Sequence, residues 1–161
     1  MTELSYEQLD AEEKALLDAA EEGLKNSYNP YNSQMLVAAA VRARTGEIIV
    51  GSNFANDSSP SNLCAERAAI LTANSRGSRA LTMMAIIGKK FDRAVINPVT
   101  PCGECRQVMF ETAKIAGTDI PVLCSNSEKT KIFKTSVNEL LPLPYAGVPA
   151  TNSEALDKAG G

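Results

Sequence analysis

The chain has 161 residues, 44% hydrophobic and 22% charged, with a formal net charge of -3, and these values fit one compact soluble domain with a core of its own. No basic stretch is large enough to follow a phosphate backbone, which argues against nucleic acid as a partner, and the longest apolar run, Met35 to Val41, is too short to span a bilayer. There is no histidine, so imidazole acid–base chemistry and His-ligated metals are excluded, and any metal must be held by sulfur and oxygen.

In chain order, the polar and acidic N-terminus is neither a signal nor a transit peptide, so the reducing cytoplasm is the expected compartment. Leu9, Leu16, Leu17, Ala20 and Leu24 recur at near-helical spacing, which predicts one amphipathic helix over Ser5–Asn26. Asn29-Pro30-Tyr31-Asn32 ends it with turn chemistry. Met35–Arg44 and Glu47–Asn53 read as a hairpin around Thr45-Gly46, followed by a polar loop over Asn56–Asn62. Leu63–Asn74 reads as a helix with Asn62 or Ser61 as N-cap. Thr82–Gly88 is a short apolar strand, and Lys89–Thr100 a long irregular connection. Gly103–Ala116 is a helix with Gly117 beyond its end. Ile120–Cys124 and Lys131–Thr135 are strands, and Val137–Leu140 is a helical turn. Beyond Tyr145 the residues turn to Gly, Ala, Thr, Asn and Ser, so residues 1–145 are read as a single domain and 146–161 as a loosely ordered tail. Helices alternating with strands imply a central sheet covered on both faces, mixed because of its opening hairpin.

The chemistry concentrates at Cys64-Ala65-Glu66-Arg67 and Pro101-Cys102-Gly103-Glu104-Cys105. All three cysteines fall at predicted helix starts, where free N–H groups and the positive end of the helix dipole favour thiolates. Two such starts facing each other would offer Cys64, Cys102 and Cys105 to one zinc ion per chain. Three protein ligands leave a tetrahedral zinc one position short, the position a catalytic zinc keeps open. Glu66, one residue removed from Cys64, can point into the same cleft and move protons there. Three thiolates also overcompensate the ion's charge, for which Arg67 is the first candidate counter-charge and Arg106 the second. Cys124 lies in an apolar strand and reads as core. Other readings of these residues are a dithiol redox protein using Cys102 and Cys105, a structural zinc module with Cys124 as fourth ligand, and a protein that binds without turnover.

At these motifs the chain resembles the cytidine deaminase family, in its short three-cysteine branch. Weaker echoes are Pro30-Tyr31, Gly51-Ser52-Asn53 and Glu139-Leu140-Leu141-Pro142. The resemblance implies a three-layer α/β/α sandwich with a mixed five-stranded sheet. It implies a zinc-dependent aminohydrolase acting on a small molecule with a cytosine-type ring, and a homotetramer with shared active sites. Carried over by position, Cys64, Cys102 and Cys105 are the zinc ligands and Glu66 the proton shuttle. The Ala65 N–H meets the ring carbonyl, Asn53 the sugar and the Thr100 carbonyl the leaving amine. Three positions depart from the family, one of them Ser59, which stands where the following loop usually carries an aromatic. Ala55 replaces the acid that holds a ribose hydroxyl, and Gln34 replaces the Phe that packs on the pyrimidine. A sugar hydroxyl buried without its partner costs about 1–3 kcal/mol, so cytidine is expected to be a poor substrate. Blasticidin-S deaminases share the catalytic motifs and also lack that acid, which leaves a modified cytosine nucleoside, blasticidin S or a non-nucleoside aminated heterocycle as the alternative substrate.

Overall fold

The computed structural model describes residues 1–31 and 35–147. Strand β1, Thr2–Leu4, leads through a 3₁₀ turn to helix α1, Ala11–Gly23. Strands β2, Met35–Ala43, and β3, Ile48–Ser52, form the expected hairpin around Gly46, whose φ of 90° only glycine adopts without strain. Helix α2, Ala65–Ser75, strand β4, Leu81–Lys90, and helix α3, Gly103–Ala116, follow. Strands β5, Pro121–Ser125, and β6, Ile132–Ser136, then helix α4, Val137–Leu140, complete the fold.

The sheet runs β1-β6-β5-β4-β2-β3, and β4–β5 is its one parallel pair among the described residues. It therefore has six strands rather than five. The extra strand, β1, is three residues long with no period of its own, and its pairing partner is β6 near the other end of the chain. The long helix expected over Ser5–Asn26 is likewise divided. Asp10 caps α1, accepting from the Glu13 N–H at 2.8 Å, while the Glu13 carboxylate returns to the Asp10 N–H at 3.1 Å. This capping box starts the α-helix after Leu9, and a 3₁₀ turn over Leu24–Asn26 ends it.

Alternation along the strands builds a core on each face of the sheet. Leu16, Leu17 and Ala20 of α1 pack with Ala38, Ala40, Ala85, Ile87 and Leu123. On the other face, Ala65, Ala69 and Met109 of α2 and α3 pack with Ala39, Val41, Ile86 and Val122. The result is the three-layer α/β/α sandwich. Its α2 side is unusually close to the sheet. A Cβ on Gly51 of β3 would lie 2.1 Å from the Ala69 nitrogen and 2.6 Å from the Ala65 oxygen. That approach fixes the start of α2, and Cys64 rather than Asn62 or Ser61 is its N-cap. Asn62 is used elsewhere, accepting from the Asn56 N–H. Residues 148–161, most of the expected tail, lie outside the described residues.

Candidate active site

Cys64 and Cys102 are the N-cap residues of α2 and α3, and Cys105 closes the first turn of α3. Neither cap residue uses its side chain to cap its helix. The sulfurs turn towards one another instead. Cys64 Sγ and Cys102 Sγ are 4.0 Å apart, Cys102 Sγ and Cys105 Sγ 3.6 Å, and all three lie within 4.8 Å. A tetrahedral ion with Zn–S bonds of about 2.3 Å holds its sulfurs about 3.8 Å apart, so the donor set and its spacing fit zinc. All four cysteines are free thiols, and Cys124 is fully buried on β5 and outside the cluster, which removes the structural module with Cys124 as a ligand. A dithiol pair would need two sulfurs, whereas three converge.

Electrostatics reflect that convergence. The Cys105 thiol hydrogen bonds to Cys64, and Arg67 donates to the same sulfur, which lowers the Cys64 thiol to about 5. Cys105 is pushed up, first by its hydrogen bond to Cys64 and then by burial. Three converging sulfurs cannot all ionise alone, and a bound dication supplies the charge that lets them. Burial holds the Cys124 thiol at about 12. Arg67 is fixed by donating from Nη2 to the Asn62 carbonyl at 2.9 Å and by an ion pair with Glu104 at 3.3 Å. Arg106 turns away, donating to the Pro101 and Leu140 carbonyls at 2.9 Å each. It ties α3 to α4 rather than serving the sulfurs.

Glu66, in the first turn of α2, is 4% exposed. Burial raises its carboxyl, and the Cys64 thiolate adds to the effect. It lines a cleft of about 250 Å³ together with Cys64, Ala65, Thr100, Cys102 and Asn53. Ala65 opens α2, where backbone N–H groups have no partner within the helix. Asn53 lines the cleft but is also a structural amide. Its Oδ1 accepts from the Val37 N–H and its Nδ2 donates to the Met35 carbonyl, each at 3.0 Å. One Nδ2 proton and the remaining Oδ1 lone pair are left for a ligand. Gln34 lies outside the described residues.

Residues not anticipated from sequence complete the wall. Asn29, Phe54 and Asn62 all line the cleft, and Phe54 stacks on Tyr28 with ring centroids 5.4 Å apart. Backbone bonds of Phe54 with Leu63, and of Ala55 with Tyr28, hold this rim in place. The signal for the asparagines was present as turn and loop chemistry, but nothing local says that two separate loops close on one cleft.

Comparison with known proteins bears on this geometry. The profile of the cytidine and deoxycytidylate deaminase zinc-binding region matches residues 10–118. A cytidine deaminase of Halalkalibacterium halodurans is 35% identical over 127 residues, covering 79% of this chain and 89% of the relative. A blasticidin-S deaminase of Bacillus cereus is 33% identical over 112 residues, covering 68% and 76%. The crystal structure of a cytidine deaminase from Burkholderia pseudomallei superposes with a TM-score of 0.72 at 33% identity, covering 81% of this chain and 97% of that one. Three converging thiols, a buried glutamate beside them and a matching fold thus coincide with sequence similarity along most of the length, and the chain belongs to the cytidine and deoxycytidylate deaminase family, with zinc as its metal.

Proposed function

We propose that this chain hydrolyses the exocyclic amine from a cytosine-type ring, releasing ammonia, with Glu66 carrying the protons. The observation behind this reading is one buried carboxylate set against three converging sulfurs at the end of a cleft. Cys64, Cys102 and Cys105 would hold zinc, which when bound would supply the Lewis acidity that makes a water nucleophilic enough to attack ring C4. A Glu66 carboxylate oxygen takes one proton from the attacking water and delivers it to ring N3. It then moves the second water proton to the amine, the C–N bond breaks, and ammonia leaves a C4 carbonyl behind. The Ala65 N–H receives the ring carbonyl, the Thr100 carbonyl accepts from the leaving amine, and Asn53 offers its remaining amide proton to the substituent on N1. Arg67 offsets the excess charge of three thiolates.

A second reading concerns the substrate. Ala55 lines the cleft where an acid would hold a ribose, and the blasticidin-S deaminase relative supports a modified cytosine nucleoside, blasticidin S itself or another aminated heterocycle. Residues 1–145 form the deaminase domain. Four free thiols suit a cytoplasmic protein. Exposed Leu71, Phe91 and Ile96 support burial of apolar surface in a homotetramer, which sedimentation would detect.

The deciding experiment is ammonia release from cytidine, deoxycytidine, cytosine and blasticidin S, with wild type and Glu66→Gln in parallel. Glu66→Gln is expected to keep one zinc per chain and to lose about 10²–10⁴-fold in turnover. Equal turnover by the two proteins overturns the role of Glu66.

A further inference from the structure

A second chamber of about 450 Å³ adjoins the cleft, and Asn29, Ala55 and Asn62 line both spaces. Among the described residues the second chamber is otherwise lined by Tyr31, Asn56, Asp57 and Ser59, which offer amides, hydroxyls and one carboxylate. Asp57 is exposed, and the Tyr31 hydroxyl donates to its Oδ1 at 3.0 Å. Among the described residues no Lys or Arg forms an ion pair with Asp57. Among the described residues, the chamber's carboxylate thus has no ion-pair partner.

Ring chemistry gives the direction. In a pyrimidine, the carbon bearing the exocyclic amine and N1 stand at opposite corners. With the amine end at Cys64, Glu66 and Cys102, the substituent on N1 lies at the other end of the cleft, at the Asn29–Ala55–Asn62 wall. Ala55 lines both spaces, so a small methyl stands between them where the resemblance would place an acid. This inference rests on the deaminase reading above and extends it. We propose that the second chamber is a specificity subsite for the N1 substituent, and that Asp57 selects substituents bearing positive charge and hydrogen-bond donors. The Asn56 and Asn62 amide oxygens already accept from the Ser58 and Asn56 N–H groups, and their second lone pairs suit the same donors, while an anionic substituent meets carboxylate repulsion.

Three probes share a cytosine ring and a ribose and differ in charge at the 5′ position. They are 5′-amino-5′-deoxycytidine, cytidine and cytidine 5′-monophosphate. Affinities are measured by calorimetry on zinc-loaded Glu66→Gln protein, and kcat/KM on wild type. The cationic probe is expected to bind about fivefold to tenfold more tightly than cytidine, and the phosphate more weakly than cytidine. Added salt should narrow the spread. Asp57→Asn should bring the cation-to-neutral ratio towards one, and Asp57→Lys should reverse the order. The same ratio in wild type and Asp57→Asn, or no ranking at all, overturns the subsite. Cytidine turnover without charge ranking removes the subsite and leaves the deaminase reading standing. Ranked binding without ammonia release from any probe leaves the subsite standing and removes the chemistry assigned to Glu66. Failure of all three probes to bind overturns both.

Discussion

At the scale of single residues, Arg67 and Cys124 separate charge from packing. Arg67 lowers the Cys64 thiol, and its Nε is buried without a partner among the described residues, a desolvation cost that its anchoring and charge must offset. Arg67→Ala is expected to lower zinc affinity about 10–100-fold in a chelator competition, with Arg67→Lys recovering part of the loss. Unchanged affinity in Arg67→Ala removes the charge-compensation argument. Cys124→Ser should behave in the opposite way. It places a hydroxyl in a fully buried site on β5 and costs about 1–3 kcal/mol in denaturant unfolding, yet retains one zinc per chain. The ligands and Glu66 were legible in sequence because their residue types are chemically restrictive and their spacing is short. Asn29, Asn62 and Asp57 were not, because they carry ordinary turn chemistry and become neighbours only when two loops meet. Asn53 was legible as a cleft residue, but not as an amide shared with the β2 backbone.

At the scale of elements, the site depends on where two helices begin. α3 was read with its boundaries correct because Pro101 precedes it and Gly117, at φ 70°, closes it. The start of α2 was misplaced because Asn62 is a better cap by type than Cys64, and propensity yields here to the packing of α2 on β3. Gly51 carries that packing. Gly51→Ala puts a methyl into the backbone of α2 at Ala65 and Ala69, so α2 must move away from the sheet. The expected cost is about 1–3 kcal/mol of stability together with weaker zinc binding, since Cys64 moves with the helix. Retained zinc affinity in a destabilised Gly51→Ala protein would show that the metal centre tolerates displacement of α2. The six-strand count has the same origin as the cap. β1 gains its identity from β6 and from the Met1 amino group on Glu139 at 2.6 Å, both beyond local reading.

At the scale of the molecule, the first helix and the last hairpin are joined on the face of the sheet away from the metal. Lys129, between β5 and β6, donates to Asp18 at 3.0 Å and Glu21 at 2.7 Å and lies 4.5 Å from the Tyr6 ring centroid. Its φ is 55°, a left-handed conformation that costs a non-glycine residue about 1–2 kcal/mol. The ion cluster offsets that strain. Burial alone would raise the Asp18 carboxyl, but hydrogen bonds from Tyr6 and Lys129 outweigh it and hold the group below its ordinary value. Asp18 therefore contributes stability above its unfolded value, near pH 4, and loses it as the pH falls through the lower folded value. Because Asp18 is 46% exposed, solvent screening keeps that contribution small. Lys129→Met keeps the strain and loses the cluster, so it should unfold about 1–2 kcal/mol more easily at neutral pH and show a flatter acid limb, with zinc content unchanged. Lys129→Gly loses the cluster but also the strain, and should recover about 1 kcal/mol of that loss. Equal stability of the Met and Gly variants in urea would show that the left-handed turn stores no strain, and the cluster would then have to be read as a surface contact with nothing to offset.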